Sequence, residues 1–414
     1  MVEVWLPYGN SEIPVRVPEE RLLDILKPRH ADSELNVASE TKRLVESNSE
    51  LLNQAKKAKN ICLAVGPTSA KRLILELAGS LIRFLIANGI PAEALSVLLT
   101  PDAPELKSDS LPESRITRHS TVSSTLPIQE FKGDYVPKLN SSFVEAELKI
   151  VLGEVKPHHF LGYTGPSDVI FPGLAAGDSI DSHLFDREGL DVTDVYSERM
   201  KVAKAVQNAF AFGFVPDVDL NASRLSLGQF PSCMDELKDV AKKMCSTQVE
   251  KTADIVVISA GGLPMDETLM RAVETFPSGL TVAGRNGVLI VAAECSLGHG
   301  GASFYDWCAE RKEPRYLESR LRHKFNYAGW KAVFLLRALE AHKIYLVSTI
   351  ADHYVEDVFG MRAAKTVNSA LQTVERSLGS DSKVSIIPDA SHTIPNLMSP
   401  PLVKDLCHSL RPYC

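Results

Sequence analysis

No cysteine of this chain stands in a CxxC pair. The seven present (Cys62, Cys233, Cys245, Cys295, Cys308, Cys407 and Cys414) are scattered without zinc spacing. An odd, dispersed set argues against a disulfide framework and fits buried thiols in a reducing compartment. Also missing is any run of about 18 uncharged apolar residues, so no membrane-spanning helix is expected. The opening MVEVWLPYGNSEIPVRVPEE is broken by prolines and acids before an apolar run develops. It does not read as a signal peptide, and a cytoplasmic protein is expected. Excess positive charge is absent: 45 Lys and Arg against 52 Asp and Glu give a formal charge of −7, which makes nucleic acid an unexpected partner. No GxSxG, Walker loop or well-placed GxGxxG occurs, which argues against a serine hydrolase, a P-loop enzyme and an ordinary nicotinamide dehydrogenase. Without HxH or HExxH, no self-contained metal site is written in the chain either.

What is present is an ordinary globular composition, 44% hydrophobic and 23% charged, over 414 residues. That length exceeds what one core usually supports, so two domains are expected. A hairpin is read at 2–17, followed by a polar, helical segment through Glu50. Short apolar runs then recur: NICLAVG, ALSVLLTP, AELKIVLGEV, TADIVVISAGG, NGVLIVAAEC and HKIYLVST. Separated by stretches of helical periodicity, they indicate parallel strands covered by helices. The fold class is α/β: two α/β domains with mostly parallel sheets and an interdomain cleft. A boundary near residue 250 divides the chain into 1–250 and 251–414. PDAPELKSDSLPES (101–114) reads as a long loop.

In such sheets the loops at the carboxyl ends of the strands form the ligand crevice. KPHHFLGYTGPSDVIFPG (156–173) directly follows KIVLGEV, which puts His158, His159, Gly162 and Gly165 at the mouth of one sheet. SAGGLP, with Gly261 and Gly262, and AECSLGHGG follow other strands in the same way. Three glycine-bearing loops suggest a ligand with a phosphate or carboxylate. Gly261 and Gly262 are equally consistent with a tight strand-to-helix turn. The two adjacent histidines would point apart on an extended backbone, so one is expected to face the ligand and the other to be structural. His183 lies far enough downstream to reach the same cleft. The remaining histidines, His119, His342 and His392 among them, read as surface or capping residues.

LPYG near the start, PHHFLGYTGPSDVIFPG, DIVVISAGGLPMDETL and GVLIVAAECSLGHG, in that order, resemble segments of the nickel-pincer-nucleotide-dependent lactate racemases and their homologues. The resemblance covers nearly the whole chain. It implies a two-domain α/β enzyme that inverts the α-carbon of a 2-hydroxy acid. A nickel-bearing pyridinium mononucleotide would accept and return a hydride while a histidine exchanges the hydroxyl proton.

Carried onto this chain, the resemblance makes His158 the catalytic histidine and His183 the nickel ligand. Gly162, Gly165, Gly261 and Gly262 would border the nucleotide. The lysine that tethers the nucleotide in the family falls at Asp168, which has no amine, so an untethered cofactor is expected. Asp168 would then face the pyridinium or a ribose hydroxyl, or else cap the following segment. A second family histidine falls near Asp102 and Ala103. A substrate-binding arginine falls at Ser69, and a glutamine and a lysine fall near Arg271 and Glu274. Lys71, Arg72 and Arg271 are the substitutes expected to hold a substrate carboxylate, from a 2-hydroxy acid other than lactate. A binding or regulatory homologue that keeps only the fold is the alternative. The sequence assigns no oligomeric state.

Overall fold

The computed structural model describes residues 1–31, 35–120, 122–131, 136–160, 162–180, 187–188, 192–310, 313–379 and 381–397. Two six-stranded sheets carry the fold. In the first, the strands run in the order Ala222–Gln229, Ala209–Pro216, Leu148–Glu154, Ile61–Val65, Leu95–Leu99 and Ile116–Arg118. All neighbours are parallel except the edge strand Ala222–Gln229, which pairs antiparallel. The central strands Ile61–Val65 and Leu148–Glu154 are buried at every position. Covered on both faces, they can be continuous apolar runs, as their sequences are.

The second sheet runs Arg362–Ala363, Lys343–Val347, Ala283–Ala292, Ala253–Ser259, Val384–Ile387 and Leu22–Ile25, parallel throughout. Its last strand comes from the start of the chain, within the segment expected to be helical. The N-terminal hairpin, Val2–Tyr8 paired with Ser11–Val17, lies on this sheet too: Val4, Leu6, Val15 and Val17 are buried with Ile255, Val257 and Ile290. Burying each such side chain contributes about 1.5–3 kcal/mol, enough to commit the hairpin to that face. A single cut at residue 250 would strip the second sheet of an edge strand and part of its cover. Residues 1–26 therefore pack with 251–397.

Each sheet contains a switch point beside its central strands. In the first it lies between Ile61–Val65 and Leu148–Glu154, in the second between Ala253–Ser259 and Val384–Ile387. Loops leaving such switch points diverge and open a crevice. The loops concerned are GPTSA (66–70) and VKPHHF (155–160) from one half, and AGGLP (260–264) and DASHT (389–393) from the other. They meet one another, and the candidate site is built from them.

Candidate active site

His158 sits in the two-residue strand Pro157–His158, paired antiparallel with Gly162–Tyr163. Two residues on, Phe160 enters the core of the opposite half, edge-on to Trp330 at 4.6 Å and to Phe334 at 5.1 Å. That insertion docks the loop and carries the histidines to the helical stretch Leu269–Val282. There His158 Nε2 lies 2.9 Å from Glu274 Oε2, and His159 Nε2 lies 2.8 Å from Ser278 Oγ. Glu274 and Ser278 are one turn apart, so the adjacent histidines reach successive positions on one helical face. Ser278 Oγ donates to Thr393 O at 2.7 Å, which leaves it as the acceptor for His159. Burial, with His158 beside it, pushes His159 down to about 4. It is a neutral, structural histidine.

The carboxylate beside His158 is itself held. Glu274 Oε1 accepts from the Lys331 ammonium and, at 3.1 Å, from the Tyr327 hydroxyl. Both donors lie on the helix Tyr327–Ala341, and Lys331 also sits over the Tyr327 ring, 4.3 Å from its centroid. Although burial favours the neutral acid, Lys331 and His158 keep the Glu274 carboxyl well below the usual range. Burial lowers Lys331, with Glu274 acting against it. Burial also lowers His158, and Glu274 offsets only part of that effect.

Asp168, on the short helix Pro166–Ile170, forms an ion pair with the buried Arg199. Its expected placement against a pyridinium or as a helix cap gives way to this pairing, because a guanidinium only 2% exposed requires a counter-charge. Burial lowers Arg199 to about 10, while Tyr327 and Glu274 hold it up, which places it in the field of the His158 cluster. The second carboxylate oxygen of Asp168 is buried without a hydrogen-bond partner among the described residues.

The other expected residues divide. Gly162 has a positive φ and open space where a Cβ would stand. Gly165, Gly261 and Gly262 do not border open space. A Cβ there would collide with Met234 Cε, with Asp389 Oδ1 at 2.7 Å and with Gly9 O at 3.0 Å, respectively. Packing between elements of the chain accounts for these three glycines. Arg271 pairs with Asp102 from the first half and with Glu267 at 2.9 Å, so its guanidinium already carries two carboxylates and is not a free clamp. Lys71 and Arg72 open the helix Lys71–Ala87 and line a cavity of about 580 Å³ with Ser69 and Asn221; Lys71 also borders a cavity of about 330 Å³ with Asp102 and Glu267. Neither has a described contact with the His158 cluster. His183 lies outside the described residues.

His392, read from sequence as a surface or capping residue, is buried. Its Nε2 lies 2.7 Å from Glu154 Oε1 and its Nδ1 lies 2.7 Å from Asp389 Oδ2. Burial opposes its charge, but Asp389 and Glu154 outweigh that, against Lys156, and raise it to about 9. Glu154 and Asp389 each fall to about 2 despite burial, which acts the other way, through the charges of Lys156 and His392. No sequence motif marked Lys331, Tyr327 or His392, and Glu274 was reached only as the position of a family lysine. A lysine amid the apolar helix YAGWKAVFLL was the one available signal, since a buried cation needs a partner.

Among the described residues no group of three or more His, Cys, Asp or Glu is placed to hold a metal ion, and no helix is long and apolar enough to cross a membrane. The five described cysteines are free and buried.

Comparison with known proteins gives one picture. Residues 113–185 match the model of the lactate racemase N-terminal domain, and residues 248–394 that of the lactate racemase C-terminal domain. The chain is 28% identical over 434 residues to a lactate racemase of Thermoanaerobacterium thermosaccharolyticum, covering 95% of this chain and 99% of that protein. It is 24% identical over 427 residues to a lactate racemase of Lactiplantibacillus plantarum, covering 94% and 98%. The solved structure of the lactate racemase apoprotein from T. thermosaccharolyticum superposes with a TM-score of 0.75 at 25% identity, over 95% of this chain and all of that one. A Thermotoga maritima protein, 14% identical with a TM-score of 0.59 over 89% of this chain, shares the fold.

Proposed function

Because the chain belongs to the lactate racemase family, we propose that it inverts the α-carbon of a 2-hydroxy acid other than lactate, using a nickel-pincer nucleotide that is not covalently tethered. The residues accept that group only without a tether. Asp168 offers a carboxylate where a thioamide needs an amine. Its second oxygen, without a partner among the described residues, is an acceptor for a ribose hydroxyl, and the open side of Gly162 leaves room beside the histidine loop. When bound, the nucleotide supplies a hydride acceptor and donor for the substrate α-carbon. His183 is the proposed nickel ligand.

The observation that carries this reading is the state of His158. It is held neutral by burial at the meeting of two switch points, so it can take the hydroxyl proton as the α-carbon is oxidised and return it when the planar keto acid is reduced. Lys331, Arg199 and Arg271 act electrostatically on the same cluster, each already balanced by Glu274, Asp168 or Asp102, so a substrate carboxylate would have to share one of them. The departure from lactate rests on Ser69. It leaves space where the family arginine stands, and its hydroxyl lies 3.3 Å from His392 Nε2 instead of clamping a substrate.

The test is to express the chain with the enzymes that make the cofactor and assay a panel of chiral 2-hydroxy acids by chiral chromatography. Inversion of a larger or more polar acid, nickel in the native protein and the bare polypeptide mass after denaturation are expected. Lactate inverted as fast as any other acid would overturn the substrate reading. A mass increment on a lysine would overturn the untethered one. A nickel-bearing protein inert toward the whole panel would favour the binding homologue.

A further inference from the structure

We infer that Glu274 is the positioning residue that fixes His158 as its Nε2–H tautomer and so assigns proton exchange to Nδ1. Two partners from different halves of the molecule reach this assignment independently. Glu274 Oε1 already accepts from Lys331 and Tyr327, and the ionised Oε2 has no proton to give, so the 2.9 Å contact requires the hydrogen on His158 Nε2. On the other side of the ring, Phe160 N–H donates to His158 Nδ1 at 3.1 Å. A backbone N–H cannot accept, so Nδ1 carries the lone pair.

The same geometry disfavours the imidazolium at rest, because a proton on Nδ1 would face that N–H. His158 therefore takes up a proton only when a donor displaces or shares the Phe160 contact, as a substrate hydroxyl within hydrogen-bond reach would do. The proton then moves from the hydroxyl oxygen to Nδ1, while Nε2–H stays on Glu274 and spreads the new charge onto the carboxylate. Lys331 and Tyr327 keep Glu274 in place for this. Arg199 and Arg271 also face the cluster, and His159 adjoins it. The assignment of a role to Nδ1 rests on the proposed function; the tautomer itself does not.

The test therefore uses the chain without substrate or cofactor. Histidine is labelled with 15N, and His158 is identified in two-bond proton–nitrogen spectra as the ring lost in His158→Gln. The expected spectrum shows a neutral ring protonated at Nε2, with a midpoint below the ordinary 6.5. In Glu274→Gln the midpoint should fall further, because the carboxylate that favours the charged ring is gone, and the Nε2–H tautomer should lose its dominance. Glu274→Asp should restore part of both. An Nδ1–H ring in the parent protein would overturn the inference, as would a tautomer and midpoint unchanged in Glu274→Gln. If Glu274→Gln does not fold with Lys331 left unpaired, Glu274→Gln with Lys331→Met removes both charges and reads the same tautomer. The expected spectra together with no turnover of any 2-hydroxy acid would leave the positioning assignment standing and overturn the functional reading.

Discussion

Two buried histidines join the halves of this molecule, and they differ in charge: one is neutral and the other cationic. His158, from the first half, meets one carboxylate, Glu274, which Lys331 has already neutralised. Burial then decides, and the ring is neutral. His392, from the second half, stands between two carboxylates, Glu154 and Asp389, and is the imidazolium that both require. The difference lies in the ratio of carboxylates to competing cations around each ring, at similar burial. A neutral ring can take a proton, whereas a ring charged up to about pH 9 cannot serve as a base near neutrality. Under the proposed function, chemistry falls to His158 and architecture to His392.

Ser69, His392 and Asp389 illustrate the point, with distances of 3.3 Å and 2.7 Å between successive side chains. The order is that of a nucleophile, base and orienting acid. Glu154 defeats it by holding Nε2 at 2.7 Å, which leaves no lone pair for the serine proton.

The largest effect is expected from His392→Ala. It leaves Glu154 and Asp389 facing each other unneutralised, and breaking such a buried arrangement costs about 3–5 kcal/mol in a denaturant titration. A change under about 1 kcal/mol would show that the bridge does not join the halves. Next comes His158→Ala, which should lower turnover of an identified substrate at least about a hundredfold with the fold retained. His159→Ala should mainly lower the melting temperature, because His159 ties its loop to Ser278. The reverse pattern would exchange their roles.

Smaller is the pH dependence of stability. His392 is raised, so its contribution is complete below 6.5 and is lost as pH rises through about 9. Glu154 and Asp389 are depressed, so theirs is present above 4.5 and 3.8 and is lost as pH falls toward about 2. Melting curves should decline at both ends of that window. His392→Gln should lack the alkaline decline, and its persistence there would assign it to another group. The smallest effect is expected from Ser69→Ala, within about 1 kcal/mol, since the 3.3 Å contact is secondary to the Glu154 pair.

The sequence showed the parallel sheets because fully buried strands such as Ile61–Val65 are unbroken apolar runs. It hid Leu22–Ile25, four residues whose partner strand, Val384–Ile387, lies at the far end of the chain. The mouth of the cleft was visible, as PHH and GG sit directly after apolar runs. The partners were not: Glu274 is 116 residues from His158, and Glu154 is 238 from His392. Nothing local marks one helical glutamate or one loop histidine as half of a pair. The glycines were visible for a different reason than expected, since Gly165, Gly261 and Gly262 make room for Met234, Asp389 and Gly9.

The most direct measurement is a histidine 15N titration of the intact parent chain, with both rings assigned by substitution. At pH 7.5, His158 should be neutral and His392 an imidazolium, with His392 releasing its proton near pH 9. A charged His158 beside a neutral His392 at that pH would contradict the division of labour between them.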